Sequence, residues 1–244
     1  TAPYAVECNS ITAALTLGFD AMQCEKTCGP GKPSPYFNST SKRPTDYNLR
    51  LSMLMPTGSV DAAKALIDRG VVSGFRVNKA SAYFLVTSDI LRNSRAGFYP
   101  GTGSIPQKKL QINTLQADYI EHKKDIMFYQ TGLVSVPGLE TLRFLPGALA
   151  DHLTSAGGIL LGGGQMSSLK WLEAGATASY GTVSEPCNHW QKFPNPTALL
   201  MHYLSGETAV EAYWKSVAWP AQGVFIGEPL AAPYCLSCAR EAWK

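Results

Sequence analysis

The chain has 244 residues, of which 45% are hydrophobic and 16% charged, and its formal net charge is +3. This apolar content is too high for an intrinsically disordered chain, and the length is ample for a buried core. Lys and Arg never occur in runs longer than two. The composition therefore argues against nucleic-acid binding, which needs a dense basic face. No apolar stretch approaches the roughly 18 residues that a membrane-spanning helix needs.

The first 58 residues are predicted to form an N-terminal extension. It begins with an amphipathic segment from Ile11 to Phe19 and continues as an irregular, Cys- and Pro-rich excursion over residues 24–58. Excursions of this length usually carry function or contact a partner. The chain does not start with a signal peptide, so export would imply a processed form.

Residues 59–244 are predicted to form an α/β domain. Together with the extension, this domain makes a single globular unit. A helix capped by Ser59 begins the domain and ends at Gly70. The predicted helices are 60–69, 148–155, 168–173, 197–204 and 208–217. The predicted strands are 81–87, 126–129, 159–161, 176–183 and 223–227, with a loop over 97–107. Strands that alternate with helices indicate a mainly parallel sheet with helices on both faces.

The six cysteines form an even set, as disulfides require: Cys8, Cys24, Cys28, Cys187, Cys235 and Cys238. The short spacings predict local pairs, Cys24 with Cys28 and Cys235 with Cys238, which leaves Cys8 with Cys187. The two closely spaced pairs also suit a zinc site, whose ligands would be Cys24, Cys28, Cys235 and Cys238. A third interpretation is that the cysteines are free buried thiols. Disulfides would indicate a secreted, periplasmic or cell-surface protein.

Two clusters of side chains carry potential chemistry. Asp151, His152 and Ser155 contain an acid, a base and a nucleophile, and His152 and Ser155 share one side of the predicted helix. The alternative is that His152 and Ser155 bond the helix end and a nearby loop. No G-x-S-x-G elbow accompanies them.

The second cluster is Glu185, Cys187 and His189, which follow a predicted strand at the carboxyl edge of the sheet. If the segment is extended, the three side chains point the same way and line a cleft or bind a metal. The alternative is a disulfide at Cys187 beside a hydrogen-bonded His189. The glycine run at 162–164 resembles a phosphate cradle but lacks the P-loop Lys-Ser/Thr, which favours a tight turn.

The region from Phe144 to Tyr234 resembles an uncharacterised bacterial family of exported proteins. The matching segments are LPGA at 145–148, DHLTS at 151–155, AGATASYGTVSEP at 174–186, KFP at 192–194, EAYW at 211–214 and IGEPL at 226–230. The last of these are also similar, more remotely, to caspase-like and gingipain-like peptidase domains. The resemblance implies a caspase-like α/β fold that lacks the usual N-terminal strands, which a protein partner or a cleaved N-terminal fragment would supply.

The chain departs from those peptidases at both catalytic positions. Thr131-Gly132 stands where the resemblance would place His-Gly, and no cysteine occurs between Cys28 and Cys187. A Cys–His peptidase needs both groups. We therefore expect an exported, non-catalytic binding or assembly protein without a cofactor, apart from the zinc option, whose cleft is lined by Thr131, Gly132, Glu185 and His189. The alternative is a hydrolase that uses other residues or a bound metal.

Overall fold

The computed structural model describes residues 5–6, 8–18, 21–41, 43–56, 58–74, 77 and 79–238. Its strands are β1 (Ala5–Val6), β2 (Asn9–Ser10), β3 (Ala80–Val86), β4 (Gly103–Ile105), β5 (Leu110–Gln116), β6 (Ile126–Thr131), β7 (Phe144–His152), β8 (Ala178–Thr182) and β9 (Gly223–Gly227). Its α-helices are α1 (Ile11–Leu17), α2 (Val60–Ser73), α3 (Leu169–Glu173), α4 (Pro196–Leu204) and α5 (Ala209–Ser216). None of the helices described is long and apolar enough to cross a bilayer.

Seven strands form the main sheet, in the order β4-β5-β3-β6-β7-β8-β9. The five central strands run parallel, and the two edge strands, β4 and β9, are antiparallel to their neighbours. The expected α/β class with a mainly parallel sheet is confirmed. β1 and β2 form a separate two-stranded ribbon.

Helices cover both faces of the sheet, as predicted. On one face Tyr203 of α4 packs edge-on against Phe128, and Trp214 of α5 stacks on Phe225 with ring centroids 4.3 Å apart. On the other face Trp171 of α3 packs against Tyr129, with centroids 5.0 Å apart. Buried aromatic pairs of this kind contribute apolar area and a preferred geometry. The sheet is therefore buried on both sides.

The predicted helix at 148–155 is wrong, because this segment forms most of strand β7. All residues from Gly147 to His152 are buried, so the strand lacks the alternation of a half-exposed strand. Its small apolar residues have no period that separates a buried strand from a helix. The predicted strand at 159–161 is also wrong, since those residues lie in a loop, and strands β4 and β5 were not predicted.

The first predicted helix is longer than expected. α2 continues through Gly70 to Ser73 and ends at Gly74, whose φ of 55° is left-handed. Gly70 does not stop the helix; it makes room for a neighbour, because a Cβ there would overlap the carboxylate of Glu228. In the N-terminal segment, α1 ends at Leu17, and Phe19 lies outside the described residues.

The N-terminal extension closes the β9 edge of the sheet. Leu54 N–H donates to the Phe225 carbonyl, and the Leu54 carbonyl accepts from Gly227 N–H, both at 2.8 Å. The Thr12 hydroxyl donates to the Gly223 carbonyl at 3.1 Å and accepts from Phe225 N–H at 3.2 Å. These contacts occupy backbone groups that an exposed edge strand would offer to another chain.

Three disulfides staple the fold, and two of them differ from the predicted pairs. Cys8 bonds Cys24, Cys28 bonds Cys187, and Cys235 bonds Cys238, with Cα–Cα distances of 5.7, 5.0 and 5.4 Å. The predicted Cys24–Cys28 and Cys8–Cys187 bonds are therefore wrong. Cys8 and Cys24 pack together in a small buried cluster, a proximity set by tertiary packing that sequence spacing does not reveal.

The disulfides should contribute unequally to stability. Cys28–Cys187 joins residues 159 apart, whereas Cys235–Cys238 joins residues three apart. In the chain-entropy model, a disulfide that closes the longer loop stabilises the fold by roughly 5 kcal/mol, and one that closes the shorter loop by roughly 2 kcal/mol. We expect the Cys28→Ser/Cys187→Ser variant to lose more free energy of unfolding than the Cys235→Ser/Cys238→Ser variant in urea titrations. Equal losses would contradict this order.

Candidate functional site

Asp151 lies at the carboxyl end of β7 and points toward helix α5. Arg95 Nη1 contacts its Oδ1 at 2.5 Å, and both side chains are 1% exposed or less. Gln130 Nε2 donates to Oδ2 at 3.0 Å, and Tyr213 OH donates to the same oxygen at 3.4 Å. Burial raises the pKa of the Asp151 carboxyl, while Arg95 and the hydrogen bonds oppose that rise. The carboxylate is thus enclosed by its own partners.

Arg95 joins the ends of two strands to a loop. Its Nη2 donates to the carbonyls of Thr131 at 3.0 Å and Asp151 at 3.3 Å, and its Nη1 donates to the Pro194 carbonyl at 3.2 Å. The carboxyl edge of a parallel sheet is where α/β proteins usually place ligands. Here a buried ion pair and its hydrogen bonds fill that position.

His152 follows Asp151 on the strand and points to the opposite face. Its Nδ1 accepts from Trp171 Nε1 at 2.9 Å, which leaves the proton on Nε2 to be donated to the Met166 carbonyl at 3.1 Å. Burial lowers the pKa of His152 to about 3. Both ring nitrogens are engaged in a neutral, structural imidazole.

The predicted Asp151–His152–Ser155 set is therefore not assembled. Successive residues of a strand point to opposite faces, so Asp151 and His152 cannot act as an acid–base pair. Ser155 lies beyond the strand, and its carbonyl accepts from the Thr182 hydroxyl at 3.0 Å. The shared helical side that the prediction required does not exist, because this segment is a strand.

Thr131 and Gly132 do not line a cleft. Thr131 is completely buried at the end of β6. A Cβ on Gly132 would overlap the carbonyl of Arg92, and the Gly132 carbonyl accepts from the Thr87 hydroxyl at 2.7 Å. The loop that contains Arg92 covers both positions, so the expectation of a cleft at these residues is wrong.

Glu185, Cys187 and His189 do not form a one-sided row either. Cys187 has a φ of 52° and Asn188 a φ of 57°, so the segment turns instead of extending. Glu185 Oε1 accepts from Cys187 N–H at 2.7 Å, and His189 Nε2 donates to the Cys28 carbonyl at 2.9 Å. The structure thus agrees with the alternative interpretation of this segment, in which Cys187 forms a disulfide and the neighbouring His189 is hydrogen-bonded.

The four cysteines offered as zinc ligands lie in three different disulfides, since Cys24 bonds Cys8, Cys28 bonds Cys187, and Cys235 bonds Cys238. Disulfide sulfurs are not the thiolates that zinc requires. Across the residues that the structure describes, no three His, Cys, Asp or Glu side chains are grouped so that they could hold a metal ion.

The glycine run at 162–164 lies in the loop between β7 and α3, ten residues beyond the end of β7. The Gln165 side-chain oxygen accepts from the Thr154 hydroxyl at 2.7 Å and from Ala156 N–H at 2.8 Å. This folds the loop back on the end of β7. A phosphate cradle follows its strand directly, and the glycine run does not.

An apolar groove lies between α2 and α3, with a volume of about 560 Å³. We call it the α2–α3 groove. Its lining residues are Leu54, Met55, Pro56, Gly58, Ala62, Leu66, Arg69, Leu160, Leu161, Leu169, Leu172 and Glu173. Several of them belong to the hydrophobic cluster that packs α2 and α3 against β9. Met55 is 39% exposed and Leu161 75%, so apolar side chains also form part of the rim.

Arg69 is the one cation among the lining residues of the α2–α3 groove. Its Nη1 donates to the carbonyls of Leu172 and Ala176, both at 2.7 Å. Burial lowers the pKa of this guanidinium. The groove thus combines an apolar lining with a fixed positive charge, which is the usual make-up of a small-molecule site.

Sequence reasoning missed the groove and Arg69. The available signal was weak: Leu66 and Arg69 are three residues apart and therefore adjacent on α2, and Leu169 and Leu172 share the same spacing on α3. Each pattern reads as an ordinary apolar helix face. Only the fold places these two helices beside each other.

His152 should make stability depend on pH. Its folded pKa of about 3 lies below the ordinary 6.5 that applies to the unfolded chain, so only the unfolded state takes up a proton between these values. The stabilisation is complete above pH 6.5 and is lost as pH falls toward 3, at up to about 1.4 kcal/mol per pH unit. In urea titrations, His152→Asn should flatten this slope and the exposed control His122→Asn should not; equal slopes would contradict the assignment.

The Arg95–Asp151 pair should be costly to break. Removing one partner leaves a buried charge uncompensated, so Asp151→Ala should lower the free energy of unfolding by about 3–5 kcal/mol. Glu173→Ala, which breaks the exposed Lys170–Glu173 pair, should cost less than about 1 kcal/mol. The double variant Arg95→Met/Asp151→Leu should recover part of the loss. Similar costs for the two single variants would refute the role given to the pair.

Comparison of the chain with family models, with curated proteins and with solved structures gives no match.

Proposed function

We propose that this chain is an exported, non-catalytic binding protein and that the α2–α3 groove holds its ligand. The observation that carries the proposal is the groove itself. Its volume of about 560 Å³ falls within the range of roughly 300–1,000 Å³ that is typical of ligand pockets. Half of its lining residues are leucines, and Arg69 and Glu173 are its charged side chains.

Two observations support the non-catalytic part of the proposal. In the caspase-like fold that we infer for residues 59–244, Thr131-Gly132 occupies the His-Gly position, and no cysteine stands between Cys28 and Cys187 to act as the nucleophile. The parallel sheet with helices on both faces is compatible with that inference. A hydrolase built on Asp151, His152 and Ser155 is not proposed, because their side chains diverge and both ring nitrogens of His152 are engaged.

The three disulfides support export. Disulfides persist in oxidising compartments and are rare where thiols are kept reduced. All six cysteines are paired, and Cys28–Cys187 connects segments from distant parts of the chain. We therefore propose a secreted, periplasmic or cell-surface location.

The groove can be tested with a neutral fluorescent probe, N-phenyl-1-naphthylamine. Ala62 lines the groove and Ala65 does not, although both are exposed on α2. Ala62→Trp should fill the groove and weaken probe binding at least about tenfold, a loss of roughly 1.4 kcal/mol, whereas Ala65→Trp should bind like the unmodified chain. Fluorescence titration measures both affinities.

Two outcomes would count against this proposal. Equal probe binding by the Ala62→Trp and Ala65→Trp variants would place the probe elsewhere. A doubled mass in light scattering, together with exclusion of the probe, would show a second copy of the chain on this surface. Binding by a protein partner is the competing possibility, since Val60 and Val71 of α2 are each 71% exposed.

A further inference from the structure

Arg69 carries a positive charge into the apolar α2–α3 groove. Among the described residues, no carboxylate lies within ion-pair distance of its guanidinium. The carboxylate among the lining residues belongs to Glu173, and Lys170 Nζ contacts it at 2.7 Å. Burial disfavours the charged form of Arg69, as its lowered pKa indicates, and no described acidic group offsets that cost.

The Arg69 guanidinium is nevertheless held in a fixed position. An arginine has five N–H donors, two of them on Nη1. The carbonyls of Leu172 and Ala176, at the end of α3 and just beyond it, each accept from Nη1 at 2.7 Å. This anchoring leaves Nε and Nη2 without a partner among the described residues, so three donors remain for a ligand. Because the fork is already oriented, little conformational entropy is lost when an anion binds.

A planar carboxylate matches these donors. Guanidinium and carboxylate groups form charge-assisted hydrogen bonds that are stronger than neutral ones, and paired donors favour bidentate geometry. The rest of the ligand has to suit the lining, to which Leu66, Leu160 and Leu172 contribute. A peptide would bring amide groups that need hydrogen-bond partners, which an apolar wall does not supply. An alkyl chain brings none.

We infer that the α2–α3 groove binds an aliphatic carboxylate, with its carboxylate on Arg69 and its alkyl chain along the leucine lining. This inference rests on the proposed function, because it names the chemical class of ligand for the same groove. Each methylene that is buried adds about 0.8 kcal/mol, so affinity should rise with chain length until the groove is filled.

The test compares decanoate with decan-1-ol at pH 8, below the critical micelle concentration, by displacement of N-phenyl-1-naphthylamine from the full chain. The two ligands share the alkyl chain and differ in the charged head. Decanoate should bind at least about tenfold more tightly than decan-1-ol, as expected for a hydrogen bond to a charged group. The Arg69→Met variant should lose this preference while it still binds the neutral probe.

Controls separate the charge of Arg69 from its structural contacts. Arg69→Lys keeps the charge and should retain part of the preference for decanoate. Lys64→Met removes an exposed cation of α2 that does not line the groove, and it should leave the preference unchanged. If Arg69→Met fails to fold by circular dichroism, the ratio of the two affinities in the unmodified chain still decides the inference.

The outcomes distinguish this inference from the proposed function. Equal affinities for decanoate and decan-1-ol in the unmodified chain would overturn the inference and leave an apolar binding protein. Loss of the preference in Lys64→Met as well as in Arg69→Met would show a general charge effect and would also overturn it. No binding of the neutral probe by the unmodified chain would overturn both.

Discussion

The buried ion pair between Arg95 and Asp151 is the constraint on which the carboxyl edge of the sheet depends. The guanidinium compensates the carboxylate and also bonds the carbonyls of Thr131 and Pro194, so β6, β7 and a loop meet at one group. Removal of either partner would leave an uncompensated buried charge and would strongly lower the free energy of unfolding. The edge that commonly supplies a ligand site in α/β proteins is therefore committed to holding the fold together.

Arg95 and Arg69 both donate to backbone carbonyls, but they differ in how their charge is balanced. Arg95 is completely buried and is neutralised by Asp151. Arg69 is partly buried, bonds two carbonyls and has no acidic partner among the described residues. The contacts of Arg95 stabilise the fold, because its guanidinium donates to acceptors within the chain itself. Those of Arg69 leave charge unmatched beside an apolar groove, which is the basis of the ligand class proposed here.

The N-terminal extension is held against the main fold by hydrogen bonds, by apolar packing and by a disulfide. Leu54 and Thr12 close the β9 edge, and Tyr36 and Leu49 are buried in the same core as the sheet. Cys28–Cys187 ties the extension to the loop after β8. The extension therefore packs as part of the main fold, and it supplies residues 54–56 and 58 to the wall of the α2–α3 groove.

The sequence by itself determined the α/β class, most of the helices, and the strands with clear β character, because local periodicity and caps such as Ser59 are short-range properties. Tertiary structure decided what depends on distant contacts: β7 is a strand because it is buried on both faces, Cys8 meets Cys24 through packing, and Asp151 and His152 are separated by the pleat. The groove belongs to this second class, since α2 and α3 lie about a hundred residues apart in the chain and only the folded sheet brings Arg69 to Leu172.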